Sequence, residues 1–408
     1  MKRPVYLYVT PFFPSLGEWR GAYCLDFVKA LIHNASYEVK VFVPGKGPDY
    51  EIEGVRVHRF VERNLPSGLL PFLFRGRNER SFLAAVGRSG VCLEDVAVCH
   101  GHTARFSIYP LAVKTINPSC LTLLHHHSLC SFGLNVGIFH KSFFYNSWLF
   151  CRFRDLFERL DCHVFISNAA RESFLRAPDS TWSVYKDYHS QMRGPRLMRC
   201  RPVRVNSSLI LHNGVDEDVF GVAPLSVKRI AEPPTIGCVG NVDSLKDQMT
   251  LILAVLRIKT FGMMSPVPRV RIVGSGPMLG HCRGLVQQKQ LEQDVSFETE
   301  MSHEQLADFY RSIDLFVLPS VCEGFGCVFT ESWACGTPFI TCEGQGMDDM
   351  ILPEDRKLWL VKPRDAEDLA QKIVQYFRDR PVQRLSSEVY IQPLVDQFVK
   401  EISRLQKS

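Results

Sequence analysis

No stretch of this chain reaches the roughly 18 consecutive apolar residues that span a bilayer, which argues against a helical membrane protein. Low-complexity tracts and short internal repeats are also missing, so the sequence does not read as a disordered tether, a solenoid or a propeller. Cys-x-x-Cys is absent although 14 cysteines occur. Scattered, and often set in apolar runs as at Cys99, Cys162 and Cys238, they read as reduced core residues, not as a disulfide framework or redox centre. Cys322, Cys327 and Cys335 have no base beside them, which argues against thiol catalysis. The net charge of +5 is modest, and with no recognition motif beside it no nucleic-acid partner is expected.

The first residues, Met1-Lys2-Arg3, are basic, but Pro11 and Pro14 interrupt the apolar run before a signal-peptide core could form. The expected location is therefore the cytoplasm. A basic stretch from Arg193 to Arg204, preceded by aromatics between Phe143 and Phe153, suggests a peripheral contact with the inner membrane surface.

What is present is the composition of a folded α/β protein. Hydrophobic residues make up 46% and charged residues 22% of 408 positions, enough for two cores of roughly 200 residues each. Strand-like and helix-like segments alternate from Val5–Thr10 and Ala22–Asn34 onward, and a second series starts at Thr235 after Pro233-Pro234. Two Rossmann-like domains are expected, one over residues 1–215 and one over 216–385, followed by a terminal segment over 386–408 whose helix is expected near Val395 to Leu405. Open parallel sheets bind ligands beyond the carboxyl ends of their strands, so two such halves are expected to face each other across one cleft.

The most informative segment runs from Leu315 to Pro338. Its apolar start predicts a buried strand, Pro319-Ser320 ends it, and Gly324 and Gly326 allow a sharp turn into a helix beginning near Cys327. The N-terminus of that helix offers backbone N–H groups and partial positive charge to a diphosphate, and the glycines allow close approach. Glu323 and Glu331 cannot hold a phosphate, because like charges repel; they should accept hydrogen bonds from hydroxyls. Helical side chains lean toward the N-terminus, so Glu331 is assigned to a ribose at the helix start. Glu323, in the loop, belongs beside a transferred sugar.

Glu323-Gly324-Phe325-Gly326 with Glu331 resembles the signature of glycosyltransferase family 4, retaining enzymes of the GT-B architecture. The resemblance implies a nucleoside-diphosphate sugar as donor, a glycan or lipid-linked acceptor, no cofactor, retention of configuration, and a last helix crossing back to the first domain. The usual setting of the family is cell-surface polysaccharide or glycolipid synthesis.

A second turn, Gly240-Asn241-Val242-Asp243-Ser244-Leu245-Lys246-Asp247, leaves a strand and enters a helix. Lys246 is the natural clamp for a departing diphosphate, with Ser244 as a further donor. The family usually has arginine after the glycine, and here Asn241 stands in its place, so Asn241 itself or Arg20 is expected to compensate. By the same resemblance Gly21 belongs to a glycine loop near donor phosphate, Met301 lies against the nucleobase, and His127, with His126 next, hydrogen-bonds a sugar hydroxyl and stabilises developing positive charge. His100, His102 and the run His125 to His127 suggest zinc by composition. Three consecutive histidines alternate direction in an extended chain, however, so only two of them could converge, and no metal is expected. Two rivals remain: a nucleotide-sugar epimerase, which the complete glutamate-glycine segment disfavours, and a non-catalytic glycan-binding or regulatory subunit, which Asn241 motivates.

Overall fold

The computed structural model describes residues 3–15, 21–65, 72–129, 143–176, 201–221 and 232–407, without the side chains of 143–146. Gly17 to Arg20 and Arg193 to Cys200 lie outside these residues. The chain divides into two compact units, one of Met1–Gly214 with Ile391–Ser408 and one of Val215–Tyr390.

The first unit is built on an eight-stranded sheet. Its strands are β1 (Val5–Val9), β2 (Glu38–Pro44), β3 (Tyr50–Ile52), β4 (Val55–Phe60), β5 (Val96–His102), β6 (Leu121–His126), β7 (Cys162–Phe165) and β8 (Ser208–Ile210). The spatial order is β3-β4-β2-β1-β5-β6-β7-β8, and every pairing is parallel except that of β3 with β4. Near-continuous burial of β1, β6 and β7 is what a parallel sheet covered on both faces requires. The helices are α1 (Ala22–Asn34), α2 (Arg75–Arg88), α3 (Ile108–Ile116), α4 (Phe143–Phe157) and α5 (Asn168–Leu175). Ser167 caps α5 by accepting from the amide of Ala170, the role its position before the helix predicts.

The second unit carries α6 (Glu217–Phe220), β9 (Thr235–Val239), α7 (Gln248–Thr260), β10 (Arg269–Val273), α8 (Leu279–Gln288), β11 (Val295–Glu298), α9 (His303–Ser312), β12 (Leu315–Val317), α10 (Cys327–Ala334), β13 (Phe339–Cys342), α11 (Arg356–Trp359), β14 (Leu360–Val361) and α12 (Ala366–Asp379). Its strand order, β11-β10-β9-β12-β13-β14, is all parallel and reverses direction between β9 and β12. Such a switch point opens a crevice beyond the carboxyl ends of the two central strands.

Helix α13 (Ile391–Leu405) returns to the first unit. Leu394, Val395, Phe398, Val399 and Ile402 form one apolar stripe, buried in a core that includes Cys24, Leu25 and Val28 of α1 and Tyr6 of β1. Each large side chain so buried contributes about 1.5–3 kcal/mol. The helix starts four residues before Val395 because Pro393 falls in its first turn, where a missing N–H is tolerated. Leu358 lies in the short helix α11, which follows a 3-10 turn begun by Pro353, and β14 keeps only Leu360 and Val361.

β7 buries an ionisable group. His163 Nε2 lies 3.1 Å from the carbonyl of Phe157, and because a carbonyl only accepts, Nε2 carries the proton and Nδ1 accepts from His126 Nε2 at 2.9 Å. Burial pushes His163 down to about 4, against the opposing pull of the Phe157 carbonyl. A folded-state value below the unfolded one of about 6.5 means that the stability due to neutral His163 is complete above pH 6.5 and is lost as pH falls toward 4. The loss amounts to about 3 kcal/mol across that window. Urea unfolding of wild type and His163→Phe at pH 7, 6, 5 and 4.5 should show a slope shallower in the variant by about 1.4 kcal/mol per pH unit between 6 and 4.5. Equal slopes would contradict the assignment.

Candidate functional site

In the second unit the sequence-predicted residues gather at the switch point. Gly240 ends β9 at φ 148°, and a side chain at Gly274, on the neighbouring turn after β10, would place Cβ 2.2 Å from the Gly240 carbonyl. Asp243 Oδ1 accepts from the amides of Leu245 and Lys246 at 2.9 and 3.0 Å, which folds the turn and fixes the start of the Lys246 side chain. The loop leaving β12 is tied to this turn by the Val321 amide, which donates to the Leu245 carbonyl at 2.8 Å. Lys246 Nζ thereby meets the Glu323 carboxylate in a hydrogen-bonded ion pair.

The pair is mostly shielded from water, with 23% of the lysine and 12% of the glutamate side chain exposed. Burial would pull the Lys246 ammonium down, but the charge and hydrogen bond of Glu323 outweigh it, so its pKa lies above the usual lysine value. Lys246 is therefore cationic at neutral pH. A unit charge 4 Å from a phosphate oxygen contributes about 4 kcal/mol at an effective dielectric of 20, before desolvation.

The Glu323 backbone is held from both sides. Its amide donates to Gln345 Oε1 at 2.8 Å, and its carbonyl accepts from the Gly346 amide at 3.0 Å. Gly346 packs so closely that a Cβ there would lie 1.8 Å from the Gly324 carbonyl oxygen. Phe325 is buried as the anchor of the loop. Gly326 takes a left-handed φ of 86° and starts α10 with no side-chain cap. Glu331, one turn into α10, accepts from the hydroxyl of fully buried Tyr310 at 2.9 Å through Oε2. Tyr310 thus aims the carboxylate that the sequence assigns to a ribose.

Asn241 and Ser244 stand exposed on the Lys246 turn, and the Asn241 carbonyl accepts from Gln248 Nε2 at 2.9 Å. Met301 lies between β11 and α9, just before the capping box formed by Ser302 and Gln305. Arg20 falls outside the described residues. The supporting residues Gln345, Gly346 and Tyr310 carried no local signal, because each reaches the site across 21 or more positions. Asp243, three residues before Lys246, matches an Asx turn and was readable.

Gly21 and His127 belong to the first unit. Gly21 starts α1 at φ 90°, where a Cβ would meet the Phe12 backbone at 2.9 Å. Tyr23, on the same helix start, has its ring centroid 5.4 Å from that of His127. His127 Nε2 lies 2.7 Å from His102 Nδ1, and its own Nδ1 is enclosed. Burial pushes His127 down to about 3, so at neutral pH it is an uncharged hydrogen-bonding group and not a cation.

No described helix is long and apolar enough to cross a membrane. On the first unit Phe72, Leu73 and Trp148 with Arg75, Arg152 and Arg159 line a groove of about 510 Å³.

Residues 226–389 match the family described as glycosyl transferases group 1. A D-inositol 3-phosphate glycosyltransferase of Mycobacteroides abscessus is 31% identical over 182 residues, 42% of this chain and 39% of that protein. The chain thus aligns with about two fifths of the length of the curated relatives it matches first. Sucrose-phosphate synthase from Thermosynechococcus elongatus superposes with a TM-score of 0.67 at 20% identity, covering 98% of this chain and 99% of that one. HepE from Anabaena, solved with UDP and glucose, superposes at 0.66 with 15% identity, covering 98% and 100%. The fold, two α/β domains with parallel sheets, is that of GT-B glycosyltransferases, and the sequence matches support a glycosyltransferase of group 1.

Proposed function

We propose that this group 1 glycosyltransferase moves a hexose, with retention of configuration, from a nucleoside-diphosphate sugar to a hydroxyl of a glycan or lipid-linked acceptor in cell-surface polysaccharide or glycolipid synthesis. One observation carries the reading: a partly shielded ammonium and a carboxylate, Lys246 and Glu323, meet beyond the carboxyl ends of β9 and β12, beside the start of α10. In this reading the diphosphate takes the Lys246 hydrogen bonds, and Glu323, released, accepts from a hydroxyl of the sugar. Backbone amides at the α10 start and the exposed Ser244 hydroxyl add donors to the leaving group, where negative charge develops as the glycosidic bond breaks. Glu331, aimed by Tyr310, accepts from the ribose. Retention and the hexose rest on the family resemblance, and the acceptor class rests on the same ground.

Titration calorimetry with nucleoside diphosphates, followed by a panel of their sugars assayed for release of free sugar without acceptor, tests the reading. HepE was solved with UDP and glucose, so uridine nucleotides come first. Binding of one diphosphate with slow release of its sugar is expected. Binding without release from any donor favours a non-catalytic regulatory subunit, which Asn241 in place of arginine supports. No binding at all rejects the site.

A further inference from the structure

We infer that the first unit holds a transition-metal site made of His100, His102 and His125. The sequence argument against a metal counted one strand, but the sheet supplies two. His100 and His102 are two apart on β5 and so share a face. On the neighbouring parallel strand β6, His125 is the register partner of His102. The three are 0%, 1% and 4% exposed. One nitrogen from each lies within 4.8 Å of the other two, and the ring centroids are 4.4, 5.2 and 5.4 Å apart.

The free nitrogens point to the same conclusion. His100 Nδ1 is engaged with the Tyr6 hydroxyl at 2.7 Å, and His102 Nδ1 with His127 Nε2 at 2.7 Å. Their Nε2 atoms, and both nitrogens of His125, are buried without a hydrogen-bond partner among the described residues. Several orphaned polar atoms in one place are costly, about 1–3 kcal/mol each, and native interiors rarely tolerate them. A ligating histidine usually ties its second nitrogen to an outer partner that fixes the tautomer, and Tyr6 and His127 stand in that position for His100 and His102.

Metal binding takes neutral imidazoles, and the three rings lie buried against one another. A tetrahedral ion with bonds of roughly 2.0 Å needs nitrogens roughly 3.3 Å apart, a contraction that small side-chain rotations supply. Three imidazoles without a carboxylate suit zinc or a neighbouring first-row ion and disfavour calcium and magnesium. The fourth position falls to water or a small anion, which also tempers the buried charge. The three histidines belong to the first unit and the Lys246 pair to the second.

The full chain, stripped with chelator and titrated with Zn²⁺ against a chromogenic competitor, should bind one equivalent, and Co²⁺ should give the visible absorption of a four-coordinate nitrogen and oxygen site. X-ray absorption of the zinc form should show imidazole scattering. His102→Asn and His125→Asn should weaken binding at least as much as loss of an outer partner, which costs about 10- to 100-fold. Tyr6→Phe, which keeps the buried ring, should weaken it about 10-fold or more. His33→Asn, exposed on α1, should bind as wild type. Absence of zinc binding, sulfur scattering at about 2.3 Å, or unchanged affinity in folded histidine variants overturns the proposal. Where the histidine variants do not fold, the scattering of the wild-type zinc form and the affinity of Tyr6→Phe decide.

Discussion

Under the proposed function, Lys246→Met should lower kcat/KM for sugar transfer by about 10²- to 10³-fold, the effect of removing one preorganised charge from a site where charge develops. Methionine keeps the stem length and the packing, so the loss reports the ammonium alone. If the cation acts on the departing diphosphate, kcat falls more than the affinity for donor, because the stabilisation grows as the bond breaks. Calorimetry separates this from a merely structural ion pair. A nucleoside diphosphate should bind the variant several-fold more weakly, while the nucleoside alone should bind unchanged. Removing Lys246 also leaves the Glu323 carboxylate shielded and without its ammonium partner, so the thermal midpoint is measured alongside. Turnover within three-fold of wild type would dismiss Lys246 from the chemistry.

The largest structural effect is expected at Gly346. A methyl group there would lie 1.8 Å from the Gly324 carbonyl oxygen and 2.9 Å from the Phe325 Cα. Both obstacles are main chain, so neither can swing aside as a side-chain tip would. Gly346→Ala therefore either displaces the Glu323 to Gly326 loop or unfolds the unit, a loss of about 4 kcal/mol or more. Either outcome should abolish the nucleotide binding proposed above, as read by calorimetry, and lower the midpoint of thermal unfolding. Gly280→Ala is the control: it lies within α8 with nothing near its added carbon, so stability should hold or rise by about 1 kcal/mol. A stable Gly346→Ala that still binds nucleotide would show that the contact with Gly324 is not a constraint.

Legibility in the sequence followed range. The segment from Leu315 to Pro338 could be read because strand, turn and helix start are adjacent and each has a local signature in apolar residues, proline and glycine. The turn at Lys246 could be read for the same reason. That the Lys246 ammonium is joined to Glu323, 77 positions away, could not. Gln345 and Gly346 follow a buried strand and read only as loop, although they hold the Glu323 backbone. The grouping of His125 with His100 and His102 could not be read either, because it depends on which strand lies beside β5, and register is a property of the sheet and not of either strand alone. Helix α13 starts four residues before the expected point, and it can do so because proline is tolerated in the first turn of a helix though not in its interior.

Helix α13 completes the core of a unit whose other parts all precede Val215, and the whole of the second unit lies between them in the chain. As the polypeptide leaves the ribosome, the contiguous second unit therefore has all of its segments available first. The earlier-made sheet must wait with the seat of α13 on α1 uncovered, a sticky surface during synthesis and a natural place for a chaperone to hold the nascent chain.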